Sequence, residues 1–332
     1  MIHKKLSLSH TLFSGHEDMQ ALRDGYGRGL LEAGEDERVV VITADLEEST
    51  RCQWFSRLYP DRFFDVGVAE QNMAAVAAGM GISGKIPFIN SYATFSPGRN
   101  WEQIRTLCAY NDSNVKIAGH HAGLLTGPDG ATHQSLEDIA LMRSMANMRV
   151  LVPLDALEAH RATVAAAQVQ GPVYIRLQRE KTPVITTKDT PFQIGEAYPL
   201  WVPKTKRIDV VLIGAGPVLH EALKAARDLE KKKIYSVVIN VPSIVPLDTK
   251  EILSWVSRAG AVVSVEEHSI YGGIGSAISE LLSKKCPVPM EFIGVDGQFG
   301  QSGSGYELYK QYKLLSSDVI EAAQKVLKRK RS

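Results

Sequence analysis

Short β-branched runs alternate with helix-period stretches along almost the whole chain, and this alternation constrains the fold more than any other feature. The strand-like runs are residues 39–42, 86–90, 115–118, 150–153 and 173–177, then 210–213, 235–241, 261–265 and 289–295. Between them lie amphipathic stretches such as 19–32, 136–144, 157–169 and 218–232. Strands alternating with helices predict parallel α/β sheets. Residues 179–199 interrupt the rhythm with polar, proline-punctuated segments, Lys181-Thr182-Pro183 and Thr186-Thr187-Lys188-Asp189-Thr190-Pro191. They divide the chain into an α/β domain over residues 13–185, a linker over 186–192 and a second α/β domain over 193–332. Asp248 with Glu251, and Asp318 with Glu321, have the spacing of helix-starting capping boxes, and Gly171 and Gly260 stand where helices stop.

The charge balance removes some functions. A net charge of +1 provides no field for recruiting nucleic acid. The one basic run, Lys328-Arg329-Lys330-Arg331, reads as a frayed helix end whose cations suit the macrodipole. No apolar stretch reaches the length of a membrane span. Lys4 and Lys5 followed by Leu6-Ser7-Leu8-Ser9-His10 are too polar for a signal-peptide core. Cys52, Cys108 and Cys286 are too few and too scattered for a disulfide framework or a zinc site, which fits a reducing cytoplasm.

The chemistry concentrates in three segments. In the first, Gly67-Val68-Ala69-Glu70-Gln71-Asn72 leads from a strand into Ala74-Ala75-Val76-Ala77-Ala78-Gly79-Met80-Gly81. A glutamate at a helix start is ordinarily explained by the macrodipole. This helix, however, has almost no polar face, so it is expected to be buried on all sides, with its small residues allowing close packing across a subunit interface. Glu70 would then enter an apolar site and need a partner there. The second segment, Phe88-Ile89-Asn90-Ser91-Tyr92-Ala93-Thr94-Phe95, puts two aromatic residues at a strand end. The third, His120-His121-Ala122-Gly123-Leu124-Leu125-Thr126-Gly127-Pro128-Asp129-Gly130-Ala131-Thr132-His133-Gln134, is a glycine-rich loop bearing three histidines and an aspartate without metal-site spacing.

Together these segments resemble the thiamine-diphosphate enzymes of the transketolase family, and the resemblance covers nearly the whole chain after the first dozen residues. It implies a pyrimidine-binding α/β domain followed by the family's C-terminal α/β domain. It implies that Glu70 hydrogen-bonds a ring nitrogen of the cofactor's aminopyrimidine, favouring the imino tautomer that generates the ylide, while the cofactor carries the hard chemistry. Tyr92 and Phe95 match the residues that pack against the pyrimidine ring. His133 matches the residue at the donor hydroxyl and carbonyl, Asp129 one that binds a sugar hydroxyl, and His121 one that helps hold the substrate phosphate. Arg23, Ser49 and Arg179 match further phosphate-gripping positions, with Arg176 as a neighbouring alternative; arginine suits the task through forked, charge-assisted hydrogen bonds. Arg99 stands where deoxyxylulose-phosphate synthases carry an arginine. The loop departs from the common pattern at Pro128 and Ala131, neither of which replaces a reacting group.

One expected part is missing. The family grips the diphosphate and Mg²⁺ with a Gly-Asp-Gly motif and a later asparagine; the nearest string here, Val295-Asp296-Gly297, is followed by no asparagine. The resemblance therefore implies a partner: a separate N-terminal, diphosphate-binding subunit that holds Mg²⁺, with self-association into a heterotetramer acting on sugar phosphates. The expected activity is transfer of a two-carbon ketol unit from a ketose phosphate to an aldose phosphate. The alternatives are a related enzyme with a 2-oxo-acid donor, of the deoxyxylulose-phosphate synthase or 2-oxoacid dehydrogenase β-subunit type, and a non-catalytic regulatory subunit. His268, in the C-terminal part, reads as structural.

Overall fold

The computed structural model describes residues 6–331; the reading of Lys4 and Lys5 lies outside them. Its strands form two large sheets and one small one. The larger sheet has seven strands in the order Ser243–Val245, Arg149–Leu151, Val173–Arg176, Lys116–His120, Ile86–Tyr92, Val39–Thr43, Phe63–Asp65. All its pairings are parallel except the first. The second sheet has five strands, Met290–Val295, Val262–Ser269, Val210–Gly214, Ser236–Asn240 and Tyr198–Trp201, the last antiparallel. The central strands are buried at every residue because helices cover both faces, so these segments read as unbroken apolar runs.

The expected alternation is therefore present, with local differences. Residues 19–21 of the first expected helix form a short strand instead, paired antiparallel with Lys181–Pro183, and the helix runs Leu22–Ala33. That helix packs closely on Ala156–Gln168, and Gly25 is the reason it can: a side-chain carbon there would collide with the Ala156 carbonyl. Asp248 caps Thr249–Ala259 by accepting from the Glu251 amide at 3.0 Å, and Gly260 ends the helix at φ +64°. Asp318, by contrast, lies inside the first turn of Ser316–Arg331 and accepts from the Leu315 amide. Gly171 sits three residues past the end of its helix at Gln168, in a turn at φ +93°.

The basic C-terminal run is not frayed. Lys330 donates to the backbone carbonyls of Asp209 and Ala259, and Arg329 pairs with Glu291 at 2.7 Å. The segment read as a linker is also held in place. Asp155, fully buried, accepts from Glu158 N, Ile185 N, Thr186 N and the Thr186 hydroxyl, so one carboxylate both caps a helix and pins the chain as it leaves the first sheet. The strand Ser243–Val245, from the C-terminal part, returns to the edge of the first sheet.

The helix Glu70–Ile82 is buried along one face only, through Glu70, Met73, Ala74, Ala77, Ala78 and Gly81. Its opposite side, Gln71, Asn72, Ala75, Gly79 and Ile82, is bare, with Val68 and Ile82 70% and 66% exposed. The expectation of burial on all sides thus fails within a single chain, because none of the described residues covers that side.

Candidate active site

The carboxyl ends of the parallel strands and the loops leaving them gather most of the residues singled out above, as expected for an open α/β sheet. Glu70 is the first residue of its helix and only 1% exposed. Its Oε2 accepts from Arg99 Nη1 at 2.6 Å, its Oε1 from the Ser91 hydroxyl at 3.3 Å, and its backbone carbonyl from Asn100 Nδ2 at 3.0 Å. A carboxylate so far from water needs such partners.

Beside it the strand Ile86–Tyr92 ends and turns. The rings of Tyr92 and Phe95 lie 6.1 Å apart and near-parallel, and the Arg99 guanidinium stands 4.6 Å above the Phe95 ring. A flat, N–H-bearing group therefore already rests on Phe95 while donating to Glu70. These are the contacts an aminopyrimidine would make, so the residues fit the pyrimidine end of thiamine diphosphate.

On the other side of Tyr92 the imidazole of His121 stacks at 4.1 Å, and the Tyr92 and Ser49 hydroxyls are 2.7 Å apart. Arg23 Nη1 donates to the Ser49 carbonyl at 3.0 Å and lies 3.4 Å from His121 Nε2. Burial, then the neighbouring Arg23 and Arg179 cations, push His121 down to about 3, so the ring is neutral at physiological pH. Arg23 is itself lowered, by burial and by Arg51. Among the described residues, Arg23 Nε and His121 Nδ1 are buried and find no hydrogen-bond partner. A cationic corner with unused polar atoms is suited to an anionic group.

The glycine-rich loop closes the site. His133 meets the Phe95 ring edge-on at 5.5 Å and its Nδ1 lies 2.8 Å from the Thr132 hydroxyl. Arg179 Nη1 donates to Asp129 at 3.1 Å and to the Thr126 carbonyl at 3.0 Å, tying together two residues 50 apart in sequence.

Arg176, read as an alternative phosphate anchor, lies apart from this group. It is 1% exposed, donates from Nε to Asp138 at 2.9 Å and from Nη2 to the Glu267 carbonyl at 2.9 Å. Tyr174 donates to the same Asp138 at 2.7 Å. Alternate residues of a strand face the same way, so Tyr174 and Arg176 converge on one buried carboxylate. His268 is buried, with Nδ1 2.7 Å from the Ser269 carbonyl, and is pushed down to about 4 by burial. Asp296 takes a hydrogen bond from Tyr271 in a surface turn. No group of three or more His, Cys, Asp or Glu side chains able to hold a metal ion occurs among the described residues.

Sequence reasoning did not single out Ser91, Thr126 or Asn100, and left Arg99 without a role. Only Arg99 carried a signal, its charge in an otherwise uncharged stretch from Ile86 to Asn100.

The fold and this arrangement define an α/β chain whose residues fit the pyrimidine end of a thiamine cofactor. Residues 19–184 match the family described as transketolase, pyrimidine binding domain, and residues 201–319 that described as transketolase, C-terminal domain. A protein of Methanocaldococcus jannaschii named putative transketolase C-terminal section is 38% identical over 314 residues, covering 93% of this chain and 97% of that one. The 6-deoxy-6-sulfo-D-fructose transketolase subunit SqwH of Clostridium sp. (strain MSTE9) is 38% identical, covering 93% and 95%. A solved structure described as a split gene transketolase, inactive beta4 tetramer, superposes with a TM-score of 0.85 at 41% identity over 93% of this chain and 98% of that one. The chain belongs to the transketolase family and is a ketol-transfer subunit corresponding to its C-terminal section.

Proposed function

We propose that this chain is the pyrimidine-binding subunit of a transketolase divided between two chains, active only with its partner, and that it serves transfer of a two-carbon ketol unit between sugar phosphates. The observation that carries the proposal is the buried Glu70 carboxylate, set beside the Phe95 ring and already engaged by a planar N–H donor. Thiamine diphosphate, when bound, supplies the carbon nucleophile and carries the two-carbon unit. Glu70 holds the pyrimidine through a hydrogen bond and sets its protonation. Tyr92 and Phe95 fix the plane of the ring. His133 moves a proton at the donor hydroxyl, and Asp129 orients a sugar hydroxyl. Arg23, Ser49, His121 and Arg179 receive the anionic end of the sugar. His121 does so as a neutral ring, because burial and two nearby arginines keep it uncharged.

No group of three or more acidic, histidine or cysteine side chains among the described residues could hold Mg²⁺, and the reading assigns the metal and the diphosphate to an N-terminal partner subunit. The bare side of Glu70–Ile82 supports assembly, because its alanine, glycine and isoleucine gain by leaving water and glycine permits close approach of a second backbone. A heterotetramer follows if two partners add to a self-associated pair. The three free cysteines suit a reducing compartment such as the cytoplasm. No helix among the described residues is long and apolar enough to cross a membrane.

The test is Glu70→Ala in the enzyme reconstituted with its partner, assayed for ketol transfer. Loss of turnover with an unchanged circular dichroism spectrum is expected, and retained turnover would sink the assignment. A donor panel of ketose phosphates, a sulfonated ketose and pyruvate distinguishes the substrate classes. A sulfonated ketose belongs there because the Clostridium relative is named for one. Turnover with pyruvate alone would favour the 2-oxo-acid reading, and cofactor-independent behaviour would favour a regulatory subunit.

A further inference from the structure

The substrate loop between His121 and Gln134 is not shaped by its own domain alone. Its first turn is seated on Glu267, which comes from the strand Val262–Ser269 of the five-stranded sheet. Glu267 Oε1 accepts from the Leu125 amide at 2.7 Å, and Oε2 accepts from the Tyr309 hydroxyl at 2.7 Å. The Glu267 backbone carbonyl accepts from Arg176 Nη2 at 2.9 Å, and Arg176 is braced in turn by Asp138. The loop is moulded to this carboxylate. Gly123, at φ +77°, stands so close that a side-chain carbon would collide with Glu267 Oε1 and come within 2.8 Å of Arg176 Nη2. The far end of the loop is held from the same side: Gln134 Nε2 donates to the Gln301 carbonyl at 3.0 Å while reaching the Leu124 and Gly127 carbonyls at 3.3 Å. Between these two anchors lie Thr126, whose carbonyl holds Arg179, and Asp129, its ion-pair partner.

We propose that Glu267 is a positioning residue for sugar binding, through which the C-terminal sheet sets the placement of Asp129, Arg179 and His133 without touching substrate. The inference rests on the functional reading above. Its physical basis is that a buried acceptor with two donors and no water to replace it fixes its partners, whereas the loop's glycines leave it free to move without that acceptor. A small displacement of such contacts costs catalysis heavily. Glu267 is 2% exposed, so its carboxylate is available to the loop rather than to solvent.

The experiment compares Glu267→Ala, Glu267→Gln and Tyr309→Phe in the full chain reconstituted with its partner. In Glu267→Ala, donor kcat/KM is expected to fall by about 10- to 100-fold, carried mainly by KM, with thiamine diphosphate affinity held within about twofold. Glu267→Gln keeps an acceptor for Leu125 and is expected to restore most of the loss. Tyr309→Phe loosens the carboxylate from its far side and is expected to move KM in the same direction by less, which covers the case in which the alanine variant does not fold. Hydrogen exchange at the Leu125 amide, read on the chain itself, is expected to accelerate in the alanine variant and not in the glutamine one. Unchanged Leu125 exchange and donor KM, or losses of donor and cofactor binding that merely track the melting temperature, would overturn the proposal. A wild-type complex with slow Leu125 exchange but no ketol transfer would refute the functional reading instead, and the exchange result would still decide the loop's attachment.

Discussion

Replacing Arg176 by methionine tests whether this arginine serves the fold or the substrate. Methionine fills much of the same volume and leaves Asp138 as a buried charge with, among the described residues, only the Tyr174 hydroxyl donating to it. Asp138 and Arg176 are 0% and 1% exposed, so water cannot take the lost partner's place. Breaking a buried pair by removing one member costs roughly 3–5 kcal/mol, most of it the stranded charge. The Glu267 carbonyl loses its donor as well, adding about 1 kcal/mol. Against a typical domain stability of about 5–15 kcal/mol this is a large fraction. It corresponds to a urea midpoint lowered by on the order of 1–2 M. Equilibrium urea unfolding followed by fluorescence and by circular dichroism measures it. Adding Asp138→Asn should recover part of the loss, because the stranded charge goes with it. Arg179→Met provides the contrast: its side chain is one-third exposed and its partner Asp129 equally so, hence a change below about 1 kcal/mol together with a raised KM for the sugar phosphate. A stable Arg176→Met protein whose donor KM rises as far as that of Arg179→Met would refute the reasoning and return Arg176 to the substrate.

Arg99→Gln should lower the melting temperature of the free chain, because the buried Glu70 carboxylate loses its charged donor; it should also tighten thiamine diphosphate binding to the reconstituted enzyme, since the guanidinium no longer occupies the place over Phe95. Calorimetric titration of the complex checks the second part, and weaker binding would show that Arg99 supports the cofactor rather than preceding it. Glu158, buried and facing Asp155, is raised from 4.5 to about 7 by burial and then by that neighbouring carboxylate. A raised carboxyl contributes stability that is complete below pH 4.5 and is lost as pH rises through about 7. Stability should therefore decline between pH 5 and pH 8, and Glu158→Gln should flatten that slope even though it weakens the Leu154 contact; an unaltered slope in unfolding titrations would count against it. His121 works in the opposite window, contributing stability above its ordinary pKa of 6.5 and losing it as pH falls towards about 3.

The alternation of strands and helices was legible because a parallel sheet covered on both faces leaves continuous apolar runs, and local spacing records that directly. Glu70, Tyr92, Phe95, Arg23, Ser49, His121, Asp129, His133 and Arg179 were found through motif resemblance, and the structure brings them together. Residue type alone did not separate Arg179 from Arg176, since both are arginines near the end of one strand; the resemblance put Arg179 first, and in the structure Arg176 is buried against Asp138 while Arg179 is one-third exposed. The basic C-terminal run looked loose because its partners, Asp209, Ala259 and Glu291, are far away in sequence. The same distance hid the pairing of Arg99 with Glu70, 29 residues apart, and of Leu125 with Glu267, 142 apart.

By itself the sequence determined the α/β class, the residue types available for chemistry and the lack of a metal-binding motif, because each is written in composition, period or short strings. Tertiary structure alone decided which arginine is buried in an ion pair and which is partly exposed. It also decided that the Glu70–Ile82 helix leaves one side bare, and that the glycine-rich loop rests on a glutamate of the other sheet. These depend on contacts between segments remote along the chain, and a hydrogen bond or buried charge depends on a neighbour's position in space rather than its place in sequence.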